Sequence, residues 1–168
     1  MQFDIEGFGS YFDVILSSDI TGIKWYQCQN WTYDINHGGN ISGSEIVNGE
    51  NAVFDWVSRA ENIAGLIDYR KVFVRNESDQ DYPSIKVMIS QNSSSIFNRC
   101  FTAVALGTVS DTLSNRPADA YFNEDFVGPY EFAVGEIIPI WIRRNLNAGG
   151  EGASYAHAVP TSIEVVEV

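Results

Sequence analysis

The chain has 168 residues, with 10 Lys plus Arg against 22 Asp plus Glu and a formal charge of −12. That length favours one domain with a sizeable core, and four Trp, eight Tyr and ten Phe supply enough apolar surface to set disorder aside. So acidic a surface repels phosphate backbones unless its few cations are gathered in one place, which argues against nucleic-acid binding.

The first residues, MQFDIEGFGSYFDVILSS, carry acids through their apolar positions and have no basic n-region, so they do not read as a signal peptide. No stretch reaches the ~18 consecutive apolar residues that a membrane-crossing helix needs. The expectation is a soluble protein made under reducing conditions, with no membrane partner. Cys28 and Cys100 stand far apart outside any CxxC pair and read as two buried thiols, with a single disulfide left open. Glycosylation patterns begin at Asn30, Asn40, Asn76 and Asn92, and without a secretion signal they read as chance products of an Asn- and Ser-rich chain.

In chain order, Phe3, Ile5, Phe8, Tyr11, Phe12, Val14 and Leu16 alternate loosely with Asp, Gly and Ser, which predicts a strand or an extended arm over 1–20. Ile23, Trp25 and Cys28 mark the next strand, and Gly38-Gly39 a turn that needs positive φ. The one helix signal runs from Glu50 to Asn62, with Asn51 as cap and Val53, Phe54, Trp56, Val57 and Ala60 on one arc. Gly65 would end it.

Strands follow. One carries Tyr69, Val72 and Val74 and stops at Asn76. After the NESDQDYP turn, Ile85, Val87 and Ile89 share one face of Ser84 to Ser90. FTAVALGTV begins at Phe101, a polar passage spans Ser110 to Pro129, EIIPIWIRRN begins at Glu136, and TSIEVVEV closes with Ile163, Val165 and Val168 on one face. Pro139 lacks a ladder donor and predicts a bulge or an edge. Six to nine strands joined by Gly, Asn and Pro turns, with at most one short helix, predict an all-β fold. The expected form is an antiparallel β-sandwich of jelly-roll or immunoglobulin-like topology over 21–168.

No motif demands chemistry. His37 and His157 have no ligand-spaced partner, so no metal is expected, and the Asp79–Asp81 and Glu124–Asp125 pairs read as solvated loops. There is no G-x-S-x-G elbow and no phosphate loop, so neither a catalytic residue nor a cofactor is assigned. Trp25, Trp31 and Trp141 are candidate surface aromatics for stacking on sugars, although such rings often fill cores instead. Arg143 and Arg144 end the IPIWI strand on opposite faces. The expected roles are a carboxylate partner for one, within the domain or across a subunit boundary, and solvent for the other.

The segment from Gly38 resembles a recurrent virion protein of tailed bacteriophages. The matching positions include Gly38-Gly39, Ile41-Ser42, Phe54-Asp55, Val57-Ser58, Tyr69-Arg70, Ala105-Leu106-Gly107 and Gly135-Glu136, then Pro139 to Arg144 and Ala148-Gly149. The resemblance spans roughly residues 38–168 and implies a non-enzymatic β-sandwich of the virion. Its expected work is to decorate the capsid and bridge major capsid subunits as a homo-oligomer; a tail component or a carbohydrate-binding module are the alternatives. Phe3, Ile5, Phe8, Tyr11, Phe12, Arg143 and Arg144 are the expected assembly contacts.

Overall fold

The computed structural model describes residues 13–49, 52–55, 57–91, 100–148 and 161–168. Among these, nine strands form two sheets: β1 (Val14–Ser18), β2 (Ile23–Asn30), β3 (Gly38–Glu45), β4 (Leu66–Asn76), β5 (Tyr82–Gln91), β6 (Cys100–Leu106), β7 (Phe126–Phe132), β8 (Ile137–Leu146) and β9 (Thr161–Glu167). One sheet runs β1-β9-β5-β7 and the other β3-β2-β4-β8-β6. All pairings are antiparallel except β1 with β9, which is parallel from Val14↔Thr161 to Ser18↔Val165. The fold is all-β, with two sheets packed as a sandwich.

Period-two patterning sets what faces inward. Val14 and Leu16, Ile85 and Val87, and Ile163 and Val165 come from one sheet; Ile23, Trp25, Val72, Val74, Ile138, Ile140 and Ile142 meet them from the other. Trp25 also joins the sheets by a hydrogen bond, its indole N–H donating to the Ser17 carbonyl at 3.0 Å. Val168 lies beyond β9 and is 66% exposed, so it does not continue the inward face of Ile163 and Val165.

Of the strand or arm expected over 1–20, only the part from Asp13 onward is described. Residues 1–12, which include Phe3, Ile5, Phe8, Tyr11 and Phe12, lie outside the described residues. Val14–Ser18, however, is an edge strand of the sandwich itself, with Val14 and Leu16 in its core.

The helix is also displaced. Helix α1 covers only Arg59–Ala64, entered through a capping box in which the Ser58 hydroxyl accepts from the Glu61 N–H and the Glu61 carboxylate from the Ser58 N–H. Upstream, the N–H groups of Val53 and Phe54 donate to the buried Asp13 carboxylate, at 3.3 and 2.8 Å, so that backbone is not helical. Val53, Phe54 and Val57 are buried all the same, and Gly65 does terminate the helix.

Strand β8 pairs with β4 from Leu66↔Leu146 to Arg75↔Ile137 and with β6 from Cys100↔Leu146 to Leu106↔Ile140. It is therefore interior, although Pro139 predicted an edge or a bulge. The proline is tolerated because its carbonyl accepts from the Gly107 N–H at 2.9 Å, on the side where β6 has already ended. Its missing donor thus faces the end of a ladder. Pro83 sits at the second position of β5, beside a register shift between Tyr82 and Ile85.

If β1 belongs to the core, Leu16→Ala should cost about 2–5 kcal/mol, as buried Leu truncations do. Urea denaturation reads this directly, with the 78%-exposed Val47→Ala as the near-neutral control. An unchanged midpoint for Leu16→Ala would return β1 to the status of a detachable arm.

Candidate functional site

Both faces of the β4–β8 pair are covered, and polar groups arrange the covering. On the inner side, register brings Asp68 opposite Arg144. On the outer side it brings Lys71 opposite Trp141 and Tyr69 opposite Arg143.

The outer cluster centres on Lys71, whose side chain is wholly buried. Its ammonium lies 2.6 Å from Asp111 Oδ1 and donates to the carbonyls of Gly39, Val109 and Asp111 at 2.8, 3.2 and 3.0 Å. The other oxygen, Asp111 Oδ2, accepts from the Trp141 indole and the Thr108 N–H, each at 3.0 Å. Burial pulls the Lys71 pKa down and Asp111 pulls it back. The 107–113 segment is thereby fixed across the sheet. It also meets the Gly38 turn, where Gly39 N–H donates to the Asp111 carbonyl at 2.8 Å. Gly38, at φ +121°, lies so close that a Cβ would come within 2.6 Å of the Thr112 Cα.

His37 completes this layer. It is fully buried, with Nε2 accepting from the Lys71 backbone N–H at 2.7 Å and Nδ1 lying 3.0 Å from the Thr32 carbonyl. Those partners assign the proton to Nδ1. Burial, with Arg70 and Lys71 nearby, depresses its pKa to about 4. Cys28 Sγ stands 3.7 Å from His37 Nε2, but burial pushes the thiol up to about 11. A neutral imidazole with both nitrogens engaged and a protonated thiol do not make a nucleophile–base pair.

The inner cluster closes one end of the sandwich. Arg144 is fully buried, 2.7 Å from Asp68 Oδ2 and 3.7 Å from Asp55 Oδ1, with its guanidinium 4.5 Å from the Phe54 ring centre. Arg70 lies 4.3 Å over the Tyr33 ring and donates to the Tyr69 carbonyl at 2.9 Å. Asp13 is buried too. Burial raises its pKa, against the N–H groups of Phe54, Val14 and Val53 and the charge of Arg144.

These positions correct several expectations. Arg144 is an internal tie rather than an assembly contact. Arg143 does not go to solvent, because it lies 3.6 Å from Asp119 and 5.1 Å over the Phe122 ring, with its side chain 21% exposed. Trp25 and Trp141 are 5% and 0% exposed and cannot act as surface platforms; inward alternation claims the first and the 107–113 covering claims the second. Trp31 is half-buried, packed against the core with its ring 5.3 Å from His37.

Cys28 and Cys100 are both buried. They sit on β2 and β6, three strands apart at ~4.8 Å per strand, which puts them beyond disulfide reach of one another. Among the described residues, no three His, Cys, Asp or Glu side chains gather to hold a metal, and no helix is long and apolar enough to cross a membrane.

Sequence reasoning missed Lys71, Asp111, His37, Asp13 and Asp119. Lys71 had left one sign, a cation beside Arg70 at the start of the buried run of β4. The aspartates, each in a loop or just ahead of a strand, had left none. Comparison with protein families, curated proteins and solved structures finds no match.

Asp111→Asn should cost about 3–5 kcal/mol, because it leaves a buried ammonium without its counter-charge. Adding Lys71→Met should recover some of that loss in denaturation midpoints; a single variant as stable as the parent would remove the pair from its structural role. His37 adds a pH dependence. Its folded pKa of about 4 lies below the ordinary 6.5, so the unfolded chain binds the extra proton between those values. Its contribution is complete above pH 6.5 and falls by on the order of 3 kcal/mol toward pH 4. The difference between parent and His37→Gln midpoints across that window should shrink as pH falls, and a constant difference would contradict the assignment.

Proposed function

We propose that this chain is a non-enzymatic structural protein of a tailed-phage particle, placed on the capsid surface, where it bridges major capsid subunits. The observation that carries this reading is the acidic exterior. Arg70, Lys71 and Arg144 are buried, and Arg116 and Arg143 lie against the Tyr69 and Phe122 rings. Arg70, Lys71 and Arg144 leave the surface together with the carboxylates Asp13 and Asp111, so the exterior keeps the strong acidity of a molecule of net charge −12. Such a surface avoids packaged DNA and keeps free subunits soluble, which suits an outward position. The groups that could do chemistry, His37, Cys28 and Lys71, are committed to internal contacts, in keeping with work done by surfaces.

The strand order supports the finer reading of the fold as a jelly roll. The pairs are nested: β1 with β9, β4 with β8, β5 with β7, and β6 with an isolated bridge at Asn123. A ribbon folded over on itself gives that nesting, whereas an immunoglobulin-like sandwich would not. The parallel β1–β9 pair departs from the pattern and β2–β3 adds a hairpin to its edge. Symmetric repetition would let modest contacts at the outer strands β3, β6 and β7 add up across a shell. Copies of this chain and neighbouring capsid subunits are the partners this reading requires.

Cryo-electron microscopy of the purified particle tests it. Density for this chain should repeat on the outer capsid lattice; density confined to the tail, or absent from the virion, would overturn the proposal.

A further inference from the structure

Among the described residues, no strand closes the side of the sandwich where β6 and β7 end their respective sheets. A groove of about 550 Å³ lies there, lined among others by Leu106, Asn115, Tyr121, Asn123, Phe126 and Tyr130. A second, of about 640 Å³, shares Leu106, Gly107, Thr108 and Tyr130 with it and continues past Pro129 to Glu131 and Glu136. The two make one furrow, and each lies within the roughly 300–1,000 Å³ usual for small-ligand clefts. Its floor is rigid. Gly107 lies against Trp141, where a Cβ would come within 2.7 Å of the indole, and Trp141 is held by Asp111.

The walls combine two chemistries. Tyr121 is 74% exposed, Leu106 45% and Phe126 40%, an unusual concentration of apolar surface left open to solvent. Lys86 stands 4.9 Å over the Phe126 ring, which leaves Tyr121 as the freest platform. The lining also carries two carboxamides, Asn115 and Asn123. Their oxygens are spent on the backbone: Asn115 Oδ1 accepts from the Thr112 N–H, and Asn123 Oδ1 from the N–H groups of Asp125 and Phe126. Those bonds fix which way each amide is oriented, with its oxygen on the backbone and its N–H donors left over.

Charge narrows the occupant. Asp111 is neutralised by Lys71 beneath the floor, so the open carboxylates of the furrow are Glu131 and Glu136, against the single cation Lys86 over the Phe126 ring, and the balance stays negative. Phosphate, sulfate and acidic sugars are therefore repelled. Flat apolar faces beside fixed N–H donors and carboxylate acceptors match a ligand with a C–H face and a rim of hydroxyls. The continuity of the two grooves favours a chain of such units over a single small molecule.

We infer that the furrow between β6 and β7 is a binding site for a neutral glycan, with Tyr121 as stacking platform and Asn115 and Asn123 as hydroxyl recognition groups. The site is independent of the capsid assignment, since a glycan site can exist in a chain located anywhere and can be missing from a capsid protein.

The test uses the full chain on an array of neutral and acidic glycans, followed by titration of the retained free oligosaccharide and, in parallel, of glucose, galactose and N-acetylglucosamine at millimolar concentration with amide NMR. Neutral glycans should be retained in preference to acidic ones, shifting the amides of Gly107, Asn123 and Gly128. Tyr121→Ala should weaken binding at least tenfold and Asn123→Ala severalfold. Phe101→Ala, a partly exposed ring on another face of β6, should leave it unchanged. Tyr121 is exposed enough that its loss should not unfold the chain, and the thermal midpoint checks that. A flat array with unmoved groove amides, a preference for acidic glycans or for peptides, or binding indifferent to Tyr121→Ala would each overturn the inference.

Discussion

The structure depends on covering both faces of the β4–β8 pair. One face is provided for by the opposing sheet, which supplies Ile85, Val87, Ile163 and Val165 to meet Val72, Val74, Ile140 and Ile142. The other face carries Phe73 and Trp141, each at 0% exposure, and no second sheet exists among the described residues to bury them. A loop must do it, and a loop has backbone carbonyls that need donors. Lys71 provides them, binding three carbonyls of the covering chain while Asp111 neutralises it. A hydrophobic residue at position 71 would bury as much apolar area, yet it would take this donor from the Gly39 and Val109 carbonyls. This gives a physical reason for an ion pair in a place where one is usually a poor source of stability.

The strands were legible in the sequence wherever one face alone is buried. Ile85, Val87 and Ile89 alternate because solvent claims their neighbours, and β5 falls where that alternation predicts. Legibility failed where a distant carboxylate decides the local backbone. The apolar arc from Val53 to Val57 has helical spacing, but Asp13, forty residues earlier, takes the N–H groups that a helix would need. The true helix carried the Ser58–Glu61 capping signature, eclipsed by a stronger hydrophobic pattern just before it. The furrow was invisible for a different reason: Leu106, Tyr121 and Phe126 belong to three separate segments, and only strand order brings them to one side. Trp25 and Trp141, the rings most conspicuous in the sequence, went to the core.

The distribution of charge joins the interior to the exterior. Arg144 closes one end of the sandwich with Asp68 and Asp55, while Arg143, one residue earlier, pairs with Asp119 on the outside of the same sheet. Strand alternation sends the two arginines to opposite faces, and each finds a carboxylate there. The adjacent arginines are therefore two separate internal ties.

The parallel pairing of β1 with β9 has a mechanical consequence. The chain enters β1 at Val14, beside Thr161, and leaves β9 at the opposite pole, past Val165. Tension applied between the segment before Val14 and the segment after Glu167 would slide the two strands past each other lengthwise. Evenly spaced bonds in a parallel ladder then bear the load together, whereas an antiparallel hairpin pulled from its open end would lose its bonds in succession. Anchored at its two poles, the domain would resist extension as a shear joint rather than peel like a zipper.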